Sequence, residues 1–242
     1  MALADLSRQF IFPGCRVAFP GTEMLEREHP GATLIGVRTE DGIDLSAARI
    51  PSAKKGARTI VFFHGNGESA AQNIPFGIEL AERGFHVVLA EYRGYGGMPG
   101  VPSEEGVYRD AVAVIAAAGA PASELVLVGR SLGTGVAVEM ASRGIGARLV
   151  LVSPFTSIAE VASRFLGPLA AMVITDRFDS AAKIARVKIP IIVLHGDRDE
   201  VVPFALGEKL AKMAQAKFVP IRGHGHNDLF DLADQIAAEL AD

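Results

Sequence analysis

Eight short apolar stretches punctuate the chain, and most are continuous rather than alternating. Thr59–Phe63, His86–Glu91, Leu125–Val128, Ala147–Val152, Pro190–Leu194 and Lys217–Ile221 read as strands. A strand covered on both faces has no side left for polar residues, so an unbroken apolar run points to the interior of a parallel sheet. Thr33–Thr39 and Ile43–Ile50 differ, because they flank the tripeptide Glu40-Asp41-Gly42, a short Asp-Gly connection that signals a hairpin. The sheet is therefore expected to open antiparallel.

Between these runs the apolar spacing turns helical. Ser69–Arg83 is stopped by Gly84, a second helix runs from Ser103 through Ala118, and Leu132, Val136 and Met140 recur on one face of a third. Ser180–Ala185, Phe204–Ala214 and Asn227–Ala241 complete the alternation. Strands alternating with helices imply crossover units, which predicts one α/β domain over 1–242: a mostly parallel eight-stranded sheet with helices on both faces. Residues 1–31 scatter Phe10, Ile11, Phe12 and Phe19 among prolines and glycines, and are expected to form an extended arm with little regular structure. Residues 155–178 carry Ile158, Val161, Phe165, Leu166, Leu169, Met172 and Val173 at near-helical spacing. This stretch is too short for a cap domain and predicts a minimal lid, which either walls an acyl groove or simply packs on the sheet edge.

Composition narrows the function classes. With 242 residues, 49% of them apolar, the chain can bury a large core, and a net charge of -4 leaves no basic footprint for nucleic acid. Cys15 is the single cysteine, so an internal disulfide and a thiolate metal cluster are excluded and a reducing, cytoplasmic setting is favoured. No run of 18 apolar residues and no signal-peptide pattern occurs, so a soluble, unexported protein without an integral membrane segment is expected, and a monomer is the expectation that goes with it. The histidines lack metal-ligand spacing, and the Gly-rich loop Tyr92–Gly100 lacks the lysine of a P-loop, so neither metal nor cofactor is expected.

The chemistry gathers at strand ends. Gly129-Arg130-Ser131-Leu132-Gly133 lies between a buried-strand pattern and a helix pattern, the context of a G-x-S-x-G nucleophile elbow. The small residues Gly129 and Gly133 leave room for the strand and helix to converge beside a serine thrust out above the sheet. Two later loops offer partners: His195-Gly196-Asp197-Arg198-Asp199-Glu200, and Gly223-His224-Gly225-His226-Asn227-Asp228. Serine, acid, histidine is the linear order this elbow uses. Spacing alone leaves Asp197 or Asp199 as the acid and His224 or His226 as the base.

These residues, with Phe62-Phe63-His64-Gly65-Asn66-Gly67, Tyr92-Arg93-Gly94-Tyr95-Gly96, Ser153-Pro154-Phe155-Thr156-Ser157 and Val201-Val202-Pro203, give nearly the whole chain a resemblance to the α/β-hydrolases, and most to the small Bem46-type serine hydrolases. The resemblance implies the triad Ser131, Asp199 and His226. A serine hydroxyl is a poor nucleophile until an imidazole takes its proton, and a buried carboxylate orients that imidazole. The amide after the nucleophile, Leu132, is one expected oxyanion donor, and the resemblance adds the amide of Asn66. His64 is then a loop-ordering residue. Tyr95 and Met98 are expected at the entrance, and Phe155, Phe165 and Leu169 against the substrate. The implied activity is hydrolysis of a small-molecule carboxylic ester or thioester through an acyl-enzyme, without a cofactor. The alternatives are a serine peptidase acting on short peptides, a lipid or acyl-protein thioesterase, and a non-enzymatic binding module on the same scaffold.

Overall fold

The computed structural model describes residue 8 and residues 11–167, 174–229 and 231–241. Its centre is an eight-stranded sheet built from β1 (Thr33–Arg38), β2 (Asp44–Ile50), β3 (Thr59–Phe63), β4 (His86–Ala90), β5 (Leu125–Arg130), β6 (Arg148–Val152), β7 (Ile191–Gly196) and β8 (Lys217–Ile221). The order across the sheet is β1-β2-β4-β3-β5-β6-β7-β8. β1 and β2 pair antiparallel, as the Asp-Gly connection predicts, and β2 pairs antiparallel with β4. Every other neighbouring pair is parallel.

The α-helices with described bounds are α1 (Thr22–Glu28), α2 (Ile74–Glu82), α3 (Glu104–Ala118), α4 (Leu132–Ser142), α5 (Ile158–Leu166), α6 (Ser180–Ile184), α7 (Phe204–Ala214) and α8 (Leu232–Glu239). The period-2 alternation of a strand sends neighbouring side chains to opposite faces. Phe63, Leu127 and Leu151 thus join one core with Val107 and Val114 of α3, Val136 and Met140 of α4 and Leu210 of α7. Phe62, Val128 and Val152 join the other with Leu25 of α1, Leu80 of α2 and Ile236 of α8. Two buried faces explain the continuous apolar runs.

Local chemistry sets several helix ends. The Ser103 and Ser157 hydroxyls accept the N–H groups of Gly106 and Glu160, capping α3 and α5, and α3 stops at Gly119 with φ of 65°. Two expectations are revised. Residues 1–31 are not devoid of regular structure, because Thr22–Glu28 form α1 with Leu25 fully buried in the second core. The last helix begins at Leu232 rather than Asn227, because the Asp228 carboxylate turns back onto the Gly225 N–H and keeps 227–229 in a loop. Among the described residues, no helix is long and apolar enough to cross a membrane.

Candidate active site

Ser131 sits where β5 turns into α4. Its φ of 50° and ψ of -119° lie in a region that L-residues avoid. The turn is held by the Ser131 N–H donating to the Val152 carbonyl and by the Thr134 hydroxyl donating to the Ser131 carbonyl at 2.6 Å. The flanking glycines are sterically required. A Cβ on Gly129 would meet the Gly133 carbonyl oxygen at 2.4 Å, and one on Gly133 would meet the Phe63 carbonyl oxygen at 2.0 Å. The Ser131 hydroxyl does not cap α4 and is left pointing out of the turn.

It meets the loop after β8. His226 Nε2 lies 3.0 Å from Ser131 Oγ, and His226 Nδ1 lies 2.7 Å from Asp199 Oδ2 in the loop after β7. A carboxylate can only accept, so Nδ1 carries a proton and Nε2 is the ring atom that faces the serine. Asp199 Oδ1 accepts the N–H groups of Val201 and Val202 at 2.9 and 2.7 Å. Burial pushes the Asp199 pKa up, but hydrogen bonds from His195, His226 and the Val202 amide outweigh it and hold the carboxyl well below the usual range. The two alternatives left open by spacing are occupied elsewhere: Asp197 Oδ1 accepts the Gly223 N–H at 2.7 Å, and His224 Nδ1 lies 2.6 Å from the Asp228 carbonyl.

The loop after β3 closes the other side. Gly65 packs so tightly that a Cβ there would lie 3.4 Å from Ser131 Cβ, and its N–H donates to Glu68 Oε1 at 2.7 Å. His64 is fully buried, with its ring nitrogens 2.7 Å from the Gly65 carbonyl and 2.8 Å from Glu91 Oε1. Glu91 also accepts the N–H groups of Ala70 and Tyr92. This buried cluster underpins the loop rather than facing the serine.

Ser131, Asn66 and Leu132 open onto one apolar cavity of about 210 Å³. Phe155 and, from α5, Ile158, Val161 and Phe165 wall it, so the short lid helix lines the site instead of only covering the sheet edge. Phe165 remains 54% exposed at the outer end. Tyr95 is a correction: it is fully buried against His64 and Tyr92, with ring centroids 5.5 and 5.8 Å away, and does not line the cavity. In the same loop, Arg93 is held by Asp110 and Asp41. Met98, from the same loop, packs against the core. Leu169 lies outside the described residues.

Sequence reasoning passed over His195. This histidine at the end of β7 is fully buried, with Nε2 2.9 Å from the Val202 carbonyl and 3.3 Å from Asp199 Oδ2. It therefore holds the Asp199 loop from behind. Its only sequence signal was its place at a strand end, four residues before Asp199. His29 and His86 make backbone contacts away from the site, to the Pro51 carbonyl and the Ser52 N–H. Among the described residues, no cluster of three or more His, Cys, Asp or Glu is arranged to hold a metal.

Comparison with known proteins agrees with this geometry at the level of family and fold. Residues 54–181 match the family model described as serine aminopeptidase, S33. An uncharacterized protein of Mycobacterium tuberculosis is 35% identical over 208 residues, covering 82% of this chain and 74% of the relative. The human alpha/beta hydrolase domain-containing protein 17B is 30% identical over 210 residues, covering 84% and 72%. Among solved structures, an alpha-beta hydrolase from Vibrio vulnificus superposes with a TM-score of 0.81 at 20% identity, covering 100% of this chain and 93% of that one. The Pyrococcus furiosus esterase Pf2001 superposes with a TM-score of 0.74 at 16% identity, covering 95% of each chain.

Proposed function

The chain belongs to the α/β-hydrolase family, and from that premise we propose that it is a cofactor-independent serine hydrolase that cleaves small carboxylic esters or thioesters through an acyl-enzyme. The observation that carries this reading is the hydrogen-bonded line Asp199–His226–Ser131 at 2.7 and 3.0 Å, opening on an apolar cavity. Ser131 Oγ attacks the carbonyl carbon as its proton passes to His226 Nε2, and Asp199 stabilises the resulting imidazolium. The negative charge that develops on the carbonyl oxygen is taken by the backbone N–H groups of Leu132 and Asn66. Collapse breaks the bond to the alcohol or thiol, which leaves with the proton from His226. Water then enters by the same route, and releases the carboxylic acid and the free serine.

The cavity supports an acyl rather than a peptide substrate. An aminopeptidase must hold a free ammonium group, yet among the described residues that line this cavity none is a carboxylate. Its volume of about 210 Å³ suits roughly seven to ten methylene-sized groups, each of which contributes up to about 0.8 kcal/mol on burial. A single domain working as a cytoplasmic monomer is part of the same reading, and free Cys15 suits a reducing compartment.

Two measurements test it. A fluorophosphonate is expected to modify Ser131, and Ser131→Ala to abolish both labelling and turnover while the circular dichroism spectrum is unchanged. Across acetyl to palmitoyl nitrophenyl esters and thioesters, kcat/KM is expected to rise to about eight to ten carbons and then fall. Labelling at another serine would refute the triad, and a steady rise to palmitoyl would favour a lipid or acyl-protein thioesterase.

A further inference from the structure

Arg130, the residue before the elbow serine, ends β5 with its guanidinium between the two loops that flank Ser131. One side of the fork reaches the base loop: Nη2 lies 3.3 Å from the His226 carbonyl and 3.4 Å from Asn227 Oδ1. The other side reaches the loop after β3: Nη1 lies 3.6 Å from Glu68 Oε2. Glu68 in turn accepts the Gly65 N–H at 2.7 Å and the Asn73 side-chain N–H at 2.9 Å. Each Arg130 contact is long and individually weak. Their convergence on one planar group is what carries the argument, because a rigid fork can hold two partners at a fixed separation, whereas an ammonium is a point charge.

We propose that Arg130 is a positioning residue that clamps the oxyanion loop to the base loop and so fixes Asn66 and His226 relative to Ser131. The proposal rests on the serine-hydrolase reading of the site. Neither loop is tied to the other by the sheet, since β3 and β8 are separated by β5, β6 and β7. A small misplacement of either loop would lengthen the proton-transfer distance or open the oxyanion site, and reactions that depend on alignment lose rate steeply for such shifts. The apolar cavity does not include Arg130 among its lining residues, so the clamp should act on the chemical step more than on binding.

The test compares Arg130→Gln and Arg130→Lys with the wild-type 242-residue chain by hydrogen exchange, fluorophosphonate labelling and steady-state kinetics. In Arg130→Gln, exchange is expected to speed up about threefold or more in both 64–68 and 223–229, with Gly65 and Gly225 as the hydrogen-bonded reporters, while the sheet peptides are unchanged. The labelling rate and kcat should fall about tenfold with KM within about twofold, and Arg130→Lys should recover only part of the loss. Unchanged exchange in either loop, or full recovery by Arg130→Lys, would overturn the clamp. If wild-type Ser131 fails to label, the hydrolase reading fails, and the exchange data still decide the clamp by themselves.

Discussion

At the scale of single residues, the site depends on which of two near-identical side chains faces inward. His224 and His226 share one loop, yet only His226 meets both Ser131 and Asp199. His226→Ala is expected to lower kcat by about 10³-fold or more, and His224→Ala by less than about tenfold, measured on one short ester. Asp199 adds a stability signature. Its pKa is depressed in the folded chain, so its contribution is fully present above the unfolded value, near pH 4, and is lost as the pH falls through the folded value. Urea unfolding between about pH 6 and pH 3 should show a wild-type advantage over Asp199→Asn, on the order of 2 kcal/mol near neutrality, that shrinks toward the acid end. A difference independent of pH would mean that the carboxylate charge is not what holds this loop.

At the scale of elements, the decisive contact is the crossing of β3, β5 and α4. Gly133 lies under the Phe63 carbonyl with no space for a methyl group, so Gly133→Ala must push α4 off β3. Backbone obstructs the new Cβ, and a backbone cannot swing aside as a flexible side chain can. A loss of about 3 kcal/mol or more is expected, read as the midpoint of denaturant unfolding, against a change within about 0.5 kcal/mol for Gly67→Ala, where nothing lies within 4 Å. Equal behaviour of the two variants would contradict the close approach. The lid is decided at the same scale. A serine cap at Ser157 starts α5, and its apolar face, rather than turning toward the sheet edge alone, supplies Ile158, Val161 and Phe165 to the cavity.

Over the whole molecule, a buried ion cluster joins parts that are distant in sequence. Arg93, in the loop after β4, pairs with Asp110 of α3 at 2.8 Å and with Asp41 of the β1–β2 hairpin at 2.7 Å. Hydrogen bonds from Arg93 and Thr39 hold Asp41 well below the usual carboxylate range, whereas burial raises Asp110. Arg93 bridges both carboxylates, so removing it strands the fully buried Asp110. Arg93→Gln is therefore expected to cost about 3 kcal/mol in urea unfolding, while Asp44→Asn, which breaks the exposed pair with Arg38, should stay within about 0.5 kcal/mol.

The sheet was legible in the chain alone, because the rules that govern it are local. Burial on two faces forces an unbroken apolar run, an Asp-Gly pair forces a hairpin, and the glycines around Ser131 mark a close approach of backbones. It also determined the order in which serine, acid and histidine loops leave the sheet. Tertiary structure alone decided which loop residues face one another. Asp197 and Asp199, or His224 and His226, are chemically the same and two residues apart, and only the placement of β7 beside β8 turns one of each toward Ser131. It also decided that Tyr95 turns inward, that Thr22–Glu28 coil so as to bury Leu25, and that His195 and Arg130 reach the loops of the site. These are contacts between residues far apart in the chain, or between a side chain and a distant backbone, and no spacing or periodicity encodes them.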